Sequence, residues 1–191
     1  MPKRYIPNDK WSRRAAEEGY RARSVYKLME LDDKFHIIRS GMTVLDLGAA
    51  PGSWLQYAAE EVGSKGRVIG IDLTEIAPID NVETYVENIT NIEAIQKIVP
   101  ETVDLIISDL APKTSGIRDV DQWKSIELSQ AVVETAQQIL RPGGKCILKV
   151  LRGADFDDFI TECKEKWKKV KITSVQASRD RSNEIYVILW K

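Results

Sequence analysis

The sequence predicts an α/β protein whose mostly parallel, seven-stranded sheet has one antiparallel strand near the C-terminus and helices on both faces. Seven short apolar segments alternate with stretches of helical periodicity over most of the chain, which is typical of a parallel sheet. The last two apolar segments are joined by the loop QASRDRSN without a clear helix, which favours an antiparallel strand there. With 191 residues, 43% of them hydrophobic, we expect one domain spanning residues 1–191.

Local patterns predict each element in turn. Residues 10–35 have helical periodicity with a break near Gly19, and Ser24 is a candidate N-cap for the second piece. Gly63 and the motif RPGG are typical of the ends of later helices. Apolar runs predict strands over residues 42–47, 67–72, 82–86, 103–108, 145–150, 169–174 and 184–190. Helical patterns predict helices over residues 54–62, 92–98, 119–140 and 155–168.

Charge is unevenly distributed along the chain although the formal net charge is only −1. Residues 1–40 contain 10 Lys and Arg against 6 Asp and Glu, residues 41–140 contain 6 against 16, and residues 141–191 contain 12 against 7. Two basic ends therefore flank an acidic middle, and this distribution permits a polyanionic partner. We expect the basic helical segment 1–35 to contribute to binding such a partner.

The residue inventory argues against several other classes of protein. Cys146, Cys163 and the single His36 form no CxxC motif or Cys/His cluster, so we expect no metal site. The two cysteines could form one disulfide. The charged N-terminus lacks an apolar signal segment, however, which favours the reducing cytoplasm. No run approaches the roughly 18 apolar residues of a spanning helix, so we expect no membrane partner.

The strongest local motif is VLDLGAAPGSW at residues 44–54, where a buried strand enters a glycine-rich turn before a helix. Gly48 and Gly52 let the backbone approach a ligand, and the helix N-terminus can receive an anionic group. The spacing is not the dinucleotide pattern GxGxxG. Asp72 ends the second strand, where a carboxylate can accept hydrogen bonds from a ribose diol. A plain tight turn and a surface charge are the alternatives, but the order of the features favours a nucleoside cofactor.

Charged residues recur where other strands end. Asp109 follows the fourth strand, and a carboxylate there is favourable beside a positively charged sulfonium. Lys149 lies between Leu148 and Val150 in the fifth strand, and a partly desolvated lysine can serve as a general base. From the residues alone, a lysine that extends out of the strand end remains an alternative. From the residues alone, Glu184 could be a charge on an edge strand. Lys27 could be part of a solvated helix face.

Five motifs in this order and spacing resemble those of the FtsJ/RrmJ family of large-subunit ribosomal RNA ribose 2′-O-methyltransferases: RARSVYKL, VLDLGAAPGSW, SDLAP, ILKV and SNEIY. The resemblance implies a Rossmann-like methyltransferase fold. It also implies S-adenosyl-L-methionine as cofactor, S-adenosyl-L-homocysteine as product and no metal. The implied substrate is a uridine in the A-loop of ribosomal RNA, within the large subunit, and we expect a cytoplasmic monomer.

The resemblance also implies residue roles. The catalytic set would be Lys27, Asp109, Lys149 and Glu184, with Lys149 as our choice for the base. Asn88 stands where the family usually has aspartate, and Lys113 where bacterial members commonly have asparagine. The expected cofactor-binding residues are Gly48, Gly52, Trp54, Asp72, Asn88 and Asp109.

RNA binding requires contacts to phosphate, and the basic ends supply them. Trp11 and Tyr20 are interleaved with the N-terminal arginines as candidate stacking platforms. The expected RNA-binding residues are Arg13, Arg14, Arg21, Arg23, Arg179 and Arg181. Two alternatives stay open: a 2′-O-methyltransferase that acts on transfer RNA, and a non-catalytic RNA-binding scaffold that retains the cofactor pocket.

Overall fold

Strands and helices alternate along the chain in the computed structural model, which describes residues 10–112, 115–178 and 183–191. The strands are Thr43–Leu47 (β1), Arg67–Asp72 (β2), Val82–Val86 (β3), Val103–Ser108 (β4), Leu140–Leu151 (β5), Lys169–Thr173 (β6) and Glu184–Trp190 (β7). The α-helices are Lys10–Glu17 (α1), Val25–Phe35 (α2), Ser53–Val62 (α3), Ile92–Ile98 (α4), Arg118–Ile139 (α5) and Phe156–Lys166 (α6). A short 3-10 helix, Gly63–Lys65, follows α3.

The strands form one seven-stranded sheet in the order β3-β2-β1-β4-β5-β7-β6. All neighbours pair in parallel except β7, which is antiparallel to both β5 and β6. The predicted fold class, including the single antiparallel strand, is confirmed. The strand order reverses between β1 and β4, and ligands of open α/β sheets bind outside the carboxyl ends of the strands at such a point.

Residue alternation along the strands divides the core into two layers. One layer packs under α4, α5 and α6 and contains the strand residues Leu45, Leu47, Ile69, Ile71, Ile106, Cys146, Leu148, Val187 and Leu189. The other packs under α2 and α3 and contains the strand residues Val44, Val68, Leu105, Ile107, Ile147, Tyr186 and Ile188. Helices therefore cover both faces of the sheet. Successive residues of a strand face opposite sides, so their positions decide which helices they contact.

One local expectation was wrong, and another, the N-cap at Ser24, was right in position only. The motif RPGG does not separate α5 from a strand at 145, because β5 already begins at Leu140, which pairs with Val103 before a register shift. Gly143 has a positive φ of 78°, and its N–H donates to the carbonyl of Lys191, so the C-terminal residue completes the ladder there. Ser24 precedes α2 but makes no side-chain capping bond, because its hydroxyl hydrogen-bonds the hydroxyl of Ser53 at 2.9 Å.

The break predicted near Gly19 separates α1 from α2, and Gly19 has a φ of 82°. A small cluster of Ala15, Val25, Tyr26 and Ala177 packs α1 against the start of α2. The basic first helix is thereby held next to the helix that carries Lys27. Within the described ranges, no helix combines the length and apolar content needed to cross a bilayer.

Candidate active site

Strand parity places three of the four candidate catalytic residues on the same side of the sheet. Lys149 in β5 and Glu184 in β7 alternate in phase with the residues that face α2 and α3, and Asp109 follows β4 in the same phase. Lys27 lies on α2, above this face. Four residues far apart in the sequence can therefore meet over the carboxyl edge of the sheet.

The four side chains form one charged network centred on Asp109. Lys149 Nζ lies 3.0 Å from Asp109 Oδ1 and donates to the Asp109 carbonyl at 2.6 Å. Lys27 Nζ lies 3.7 Å from the same Oδ1 and 2.8 Å from Glu184 Oε2. Lys149 Nζ is 4.0 Å from Glu184 Oε1, which closes the network. Two ammonium groups thus alternate with two carboxylates.

The network is largely shielded from solvent, since Lys27 is only 7% exposed and Lys149 only 6%. Burial by itself raises the pKa of Glu184, but the charge and hydrogen bond of Lys27, the charge of Lys149 and the Ser178 hydroxyl outweigh it, so the pKa lies below its ordinary value. Glu184 is therefore ionised at neutral pH. Such a set can hold a hydroxyl group in one orientation and exchange a proton with it.

Tyr186 supports the network from below, and the sequence interpretation gave it no role. The fully buried Tyr186 hydroxyl donates to Asp109 Oδ1 at 2.7 Å. Burial raises the pKa of Tyr186 well above its ordinary value, and the negative charge of Asp109 adds to this effect. The tyrosine therefore stays a neutral donor and fixes the Asp109 carboxylate. The sequence does contain a signal for this role, because Tyr186 stands two residues after Glu184 in β7 and so faces the same side of the sheet.

The glycine-rich turn lies beside this network. Gly48 has a φ of 82° and Gly52 a φ of 106°, both in the region that favours glycine. A Cβ atom at Gly48 would overlap the Leu110 side chain. The Ser108 hydroxyl donates to the Leu47 carbonyl at 2.8 Å and so joins the ends of β4 and β1. The turn and Asp109 consequently share one edge of the sheet.

Asp72 and Asn88 stand at the ends of the next two strands. Asp72 Oδ2 accepts the Ala50 N–H at 3.0 Å, and its Oδ1 accepts the Thr74 N–H at 2.8 Å. Asp72 thus joins the glycine-rich turn to the loop that follows β2. Asn88 is exposed beyond β3, and its Oδ1 accepts the Thr90 N–H at 3.1 Å. Each oxygen keeps a lone pair for a ligand.

A pocket opens between the turn and the network, and Trp54 forms one of its walls. The buried Trp54 indole donates from Nε1 to the Ser24 carbonyl at 2.8 Å and stacks on Tyr186, with 6.2 Å between ring centroids. These contacts fix the ring. The pocket is lined by Ser24, Asp46, Gly48, Ala49, Ala50, Ser53, Trp54 and Asp109.

Asp46 is a pocket residue that the sequence interpretation missed. It is 1% exposed, and its Oδ2 has no hydrogen-bond partner within the described part of the chain. Burial raises the pKa of the Asp46 carboxyl well above its ordinary value, with further contributions from the charges of Asp109 and Asp72. An unpartnered acidic oxygen on a pocket wall is a fitting partner for a positively charged ligand group, whose charge would favour the ionised form.

Replacing Asp46 by asparagine should raise the melting temperature of the ligand-free protein. The pKa of Asp46 is raised in the folded state, so the protonated carboxyl contributes favourably to the free energy of unfolding. This contribution is complete below about pH 4 and is lost as the carboxyl ionises at higher pH. The gain from D46N should therefore be largest near pH 8 and vanish near pH 4. Each kcal/mol of removed penalty corresponds to about 2–4 °C.

Thermal melts across this pH range check the prediction. D104N is the control because Asp104 Oδ2 accepts the Thr43 N–H at 2.7 Å, so this substitution should lower the melting temperature. A D46N protein that melts below wild type at pH 8 would contradict the assignment.

The arginines expected to bind RNA fall into different environments. Arg13 on α1 is exposed. Arg14 is also exposed, although its Nε pairs with Glu18 at 2.7 Å and its guanidinium lies over the Tyr26 ring. Arg179 and Arg181 lie outside the described residues. The stacking platforms have partners within the fold, since Trp11 packs on Tyr26 with 5.1 Å between ring centroids and the Tyr20 hydroxyl donates to Glu60.

Arg21 and Arg23 are both half-buried and donate to backbone carbonyls of the fold. Arg21 donates to three backbone carbonyls in the loops around the glycine-rich turn. Arg23 donates from Nη2 to the Ala177 carbonyl at 2.8 Å, in the segment that precedes Glu184. Within the described ranges, no group of His, Cys, Asp and Glu side chains is arranged to hold a metal ion.

Comparison with solved structures identifies the class of fold. A ribosomal RNA methyltransferase from Plasmodium falciparum superposes with a TM-score of 0.80 at 29% identity, covering 90% of this chain and 97% of that one. Aeropyrum pernix fibrillarin, solved with natively bound S-adenosyl-L-methionine, superposes with a TM-score of 0.64 at 16% identity, covering 98% and 85%. The sheet is that of the Rossmann-like methyltransferases.

Sequence comparison then identifies the family. The chain is 48% identical over 183 residues to the ribosomal RNA large subunit methyltransferase E of Methanothrix thermoacetophila, covering 94% of this chain and 71% of that protein. It is 41% identical over 186 residues to the protein of the same name from Methylobacillus flagellatus, covering 95% and 89%. The model of the FtsJ-like methyltransferases matches residues 20–191. The chain belongs to the FtsJ-like methyltransferase family, and the predicted resemblance is confirmed.

Proposed function

We propose that the protein is an S-adenosyl-L-methionine-dependent methyltransferase that methylates a ribose 2′-hydroxyl of large-subunit ribosomal RNA, specifically a uridine of the A-loop. The observation that carries the proposal is the buried network of Lys27, Asp109, Lys149 and Glu184 beside a glycine-lined pocket. The names of the relatives support ribosomal RNA as the substrate.

The pocket residues fit this cofactor. The unpartnered Oδ2 of Asp46 suits the cationic part of the cofactor, and the carboxylate of Asp72, at the end of β2, suits its ribose diol. The amides at the start of α3 suit its carboxylate. Trp54 and Asn88 are the other side chains that we assign to this site. When bound, S-adenosyl-L-methionine supplies an electrophilic methyl group attached to a positively charged sulfur.

Each residue of the network then has a task. In the reactive state Lys149 Nζ is the neutral amine, which accepts the proton of the ribose 2′-hydroxyl as that oxygen is methylated and so becomes the ammonium that pairs with Asp109. Asp109 holds Lys149 through both its carboxylate and its backbone carbonyl. Lys27, held by Glu184 at 2.8 Å, orients the hydroxyl from the other side. A large part of the rate acceleration comes from fixing the two reactants in one geometry.

RNA approaches along the exposed side of α1, next to the helix that carries Lys27. Changing Arg13 and Arg14 together to glutamate should therefore weaken RNA binding, because both side chains are exposed cations. The slope of log Kd against log salt should fall by about 1 for each phosphate that the variant no longer binds. Filter binding or anisotropy at several salt concentrations measures both quantities.

The matched control is the double variant K65E/K97E, which makes the same change of charge at two exposed lysines in the acidic middle of the chain. It should leave the salt dependence close to that of the wild type. Equal losses of affinity in the two double variants would contradict an RNA-binding role for α1.

The experiment that tests the proposed function is methyl transfer from an isotope-labelled donor. The protein is incubated separately with large-subunit particles, free ribosomal RNA and transfer RNA, and the label in each RNA is counted. We expect label in the large-subunit RNA. Label in transfer RNA alone would show that transfer RNA, and not ribosomal RNA, is the substrate. No label in any RNA, with S-adenosylhomocysteine still bound, would favour a non-catalytic scaffold.

A further inference from the structure

The guanidinium of Arg21 lies at the protein surface but is hydrogen-bonded to the fold through both of its Nη atoms. Its Nη1 donates to the Pro51 carbonyl at 3.0 Å and to the Ala77 carbonyl at 2.7 Å. Its Nη2 donates to the Pro78 carbonyl at 2.7 Å. Three hydrogen bonds from one charged fork to two separate loops fix both loops relative to each other.

The backbone of Arg21 is anchored as well. Its N–H donates to Gln56 Oε1 on α3 at 2.9 Å, and Gln56 Nε2 donates back to the Gly19 carbonyl at 3.0 Å. The segment between α1 and α2 is therefore attached to α3 at two points. The side chain of Arg21 is consequently aimed at the loops from a fixed base.

The two loops that Arg21 joins adjoin residues assigned to the candidate cofactor site, since Ala50 lines the pocket and Asp72 accepts the Ala50 N–H. Pro51 belongs to the glycine-rich turn, and Ala77 and Pro78 belong to the loop that follows Asp72. The packing is tight, because a Cβ atom at Gly52 would lie 3.0 Å from Arg21 Nη1 and 2.9 Å from Ile79 Cδ1. The absence of a side chain at Gly52 lets the guanidinium reach both loops.

We infer that Arg21 is a positioning residue for the cofactor pocket and not an RNA contact: its guanidinium holds the glycine-rich turn and the loop 73–79 in the arrangement that binds S-adenosyl-L-methionine. The inference rests on the proposed function for the identity of the cofactor. It assigns Arg21 to the cofactor side of the site, while exposed Arg13 remains on the RNA side.

The test measures two affinities in the same variants. R21Q removes the positive charge and the two Nη donors. R21K keeps the charge but has a single donor nitrogen in place of the two Nη atoms. By calorimetry, both variants should bind S-adenosylhomocysteine about tenfold more weakly than the wild type, since each removes hydrogen bonds from a charged donor. The salt slope of RNA binding should not change in either variant.

Two controls accompany these variants. R13Q should show the opposite result, with unchanged affinity for S-adenosylhomocysteine and a salt slope lower by about 1. T161V removes a hydrogen bond to the Asp157 carbonyl on α6, away from both sites, and should leave both quantities unchanged. If R21Q does not fold, R21K carries the test.

Hydrogen exchange separates positioning from a general loss of stability. In the free R21K or R21Q protein, the amides of residues 49, 50, 52, 73–77 and 79 should exchange faster than in the wild type, while those of β5 and β7 should not. Faster exchange throughout the sheet would overturn the inference.

Unchanged S-adenosylhomocysteine affinity in both variants, with wild-type binding intact, would overturn the inference and leave the proposed function standing. A weaker salt dependence of RNA binding with unchanged cofactor affinity would overturn it in favour of an RNA contact. A wild-type protein that does not bind S-adenosylhomocysteine would overturn the proposed function itself.

Discussion

Replacing Lys149 by methionine should nearly abolish methyl transfer to ribosomal RNA while S-adenosylhomocysteine still binds. Lys149 is 6% exposed, and its amine contacts Asp109 through both the carboxylate and the backbone carbonyl, so it is the best-fixed basic group of the network. Removing a positioned general base costs about 10²–10⁴-fold in rate. Single-turnover transfer of labelled methyl groups measures the loss of rate, and calorimetry measures cofactor binding.

A matched control lies on the same strand. Lys145 in β5 faces the same side of the sheet as Lys149 but lies nearer the middle of the strand, where its Nζ donates to the His36 carbonyl at 3.3 Å. K145M should therefore retain wild-type turnover. Undiminished turnover in K149M would remove Lys149 from the mechanism.

The variant K149R distinguishes a proton acceptor from a positive charge that only orients the hydroxyl. Arginine keeps the charge but does not give up its proton in proteins. If Lys149 is the base, K149R should be as slow as K149M. If K149R recovers most of the wild-type rate, the positive charge suffices and the assignment as base is wrong.

Replacing Asp109 by asparagine should cause the second large drop in rate. Oδ1 of Asp109 lies 3.0 Å from Lys149 Nζ and 3.7 Å from Lys27 Nζ, so it is the anion that the two lysines share. Asparagine can still accept the Tyr186 hydroxyl, which should keep the side chain in place without its charge. We expect the rate to fall by about 10²–10³-fold, the scale of one preorganised electrostatic interaction.

The control for Asp109 is D104N, which makes the same substitution on β4 at the end remote from the site. It should transfer methyl groups at the wild-type rate at a temperature where it is folded. Single-turnover rates of D109N within tenfold of wild type would contradict the central place of Asp109 in the network.

The sequence predicted the sheet well because its strands are apolar runs with clear boundaries. Expected and observed bounds coincide for β2, β3, β4 and β7, each of which is bordered by turn residues or charges. The start of β5 was wrong because RPGG is typical of a turn. Pairing of Gly143 and Gly144 with the distant Lys191 backbone could not be inferred from local sequence.

The site was predicted in outline, and what the prediction lacked depends on contacts between distant residues. The five motifs identified Lys27, Asp109, Lys149 and Glu184, and the structure brings these four side chains together. Strand parity would also have placed Asp46 and Tyr186 on the same face, so this signal was present. The internal contacts of Arg21 were not predictable, because a charged side chain in a basic segment is usually exposed.

The position of the transferred methyl group shows whether a ribose or a base is methylated. Large-subunit RNA labelled by the wild-type protein is hydrolysed with alkali, which cleaves only where a free 2′-hydroxyl can attack the neighbouring phosphate. We expect the label to remain in an alkali-resistant dinucleotide with the wild type and to be absent with K149M. Label recovered in a mononucleotide, as a methylated base would give, would contradict ribose methylation by this network.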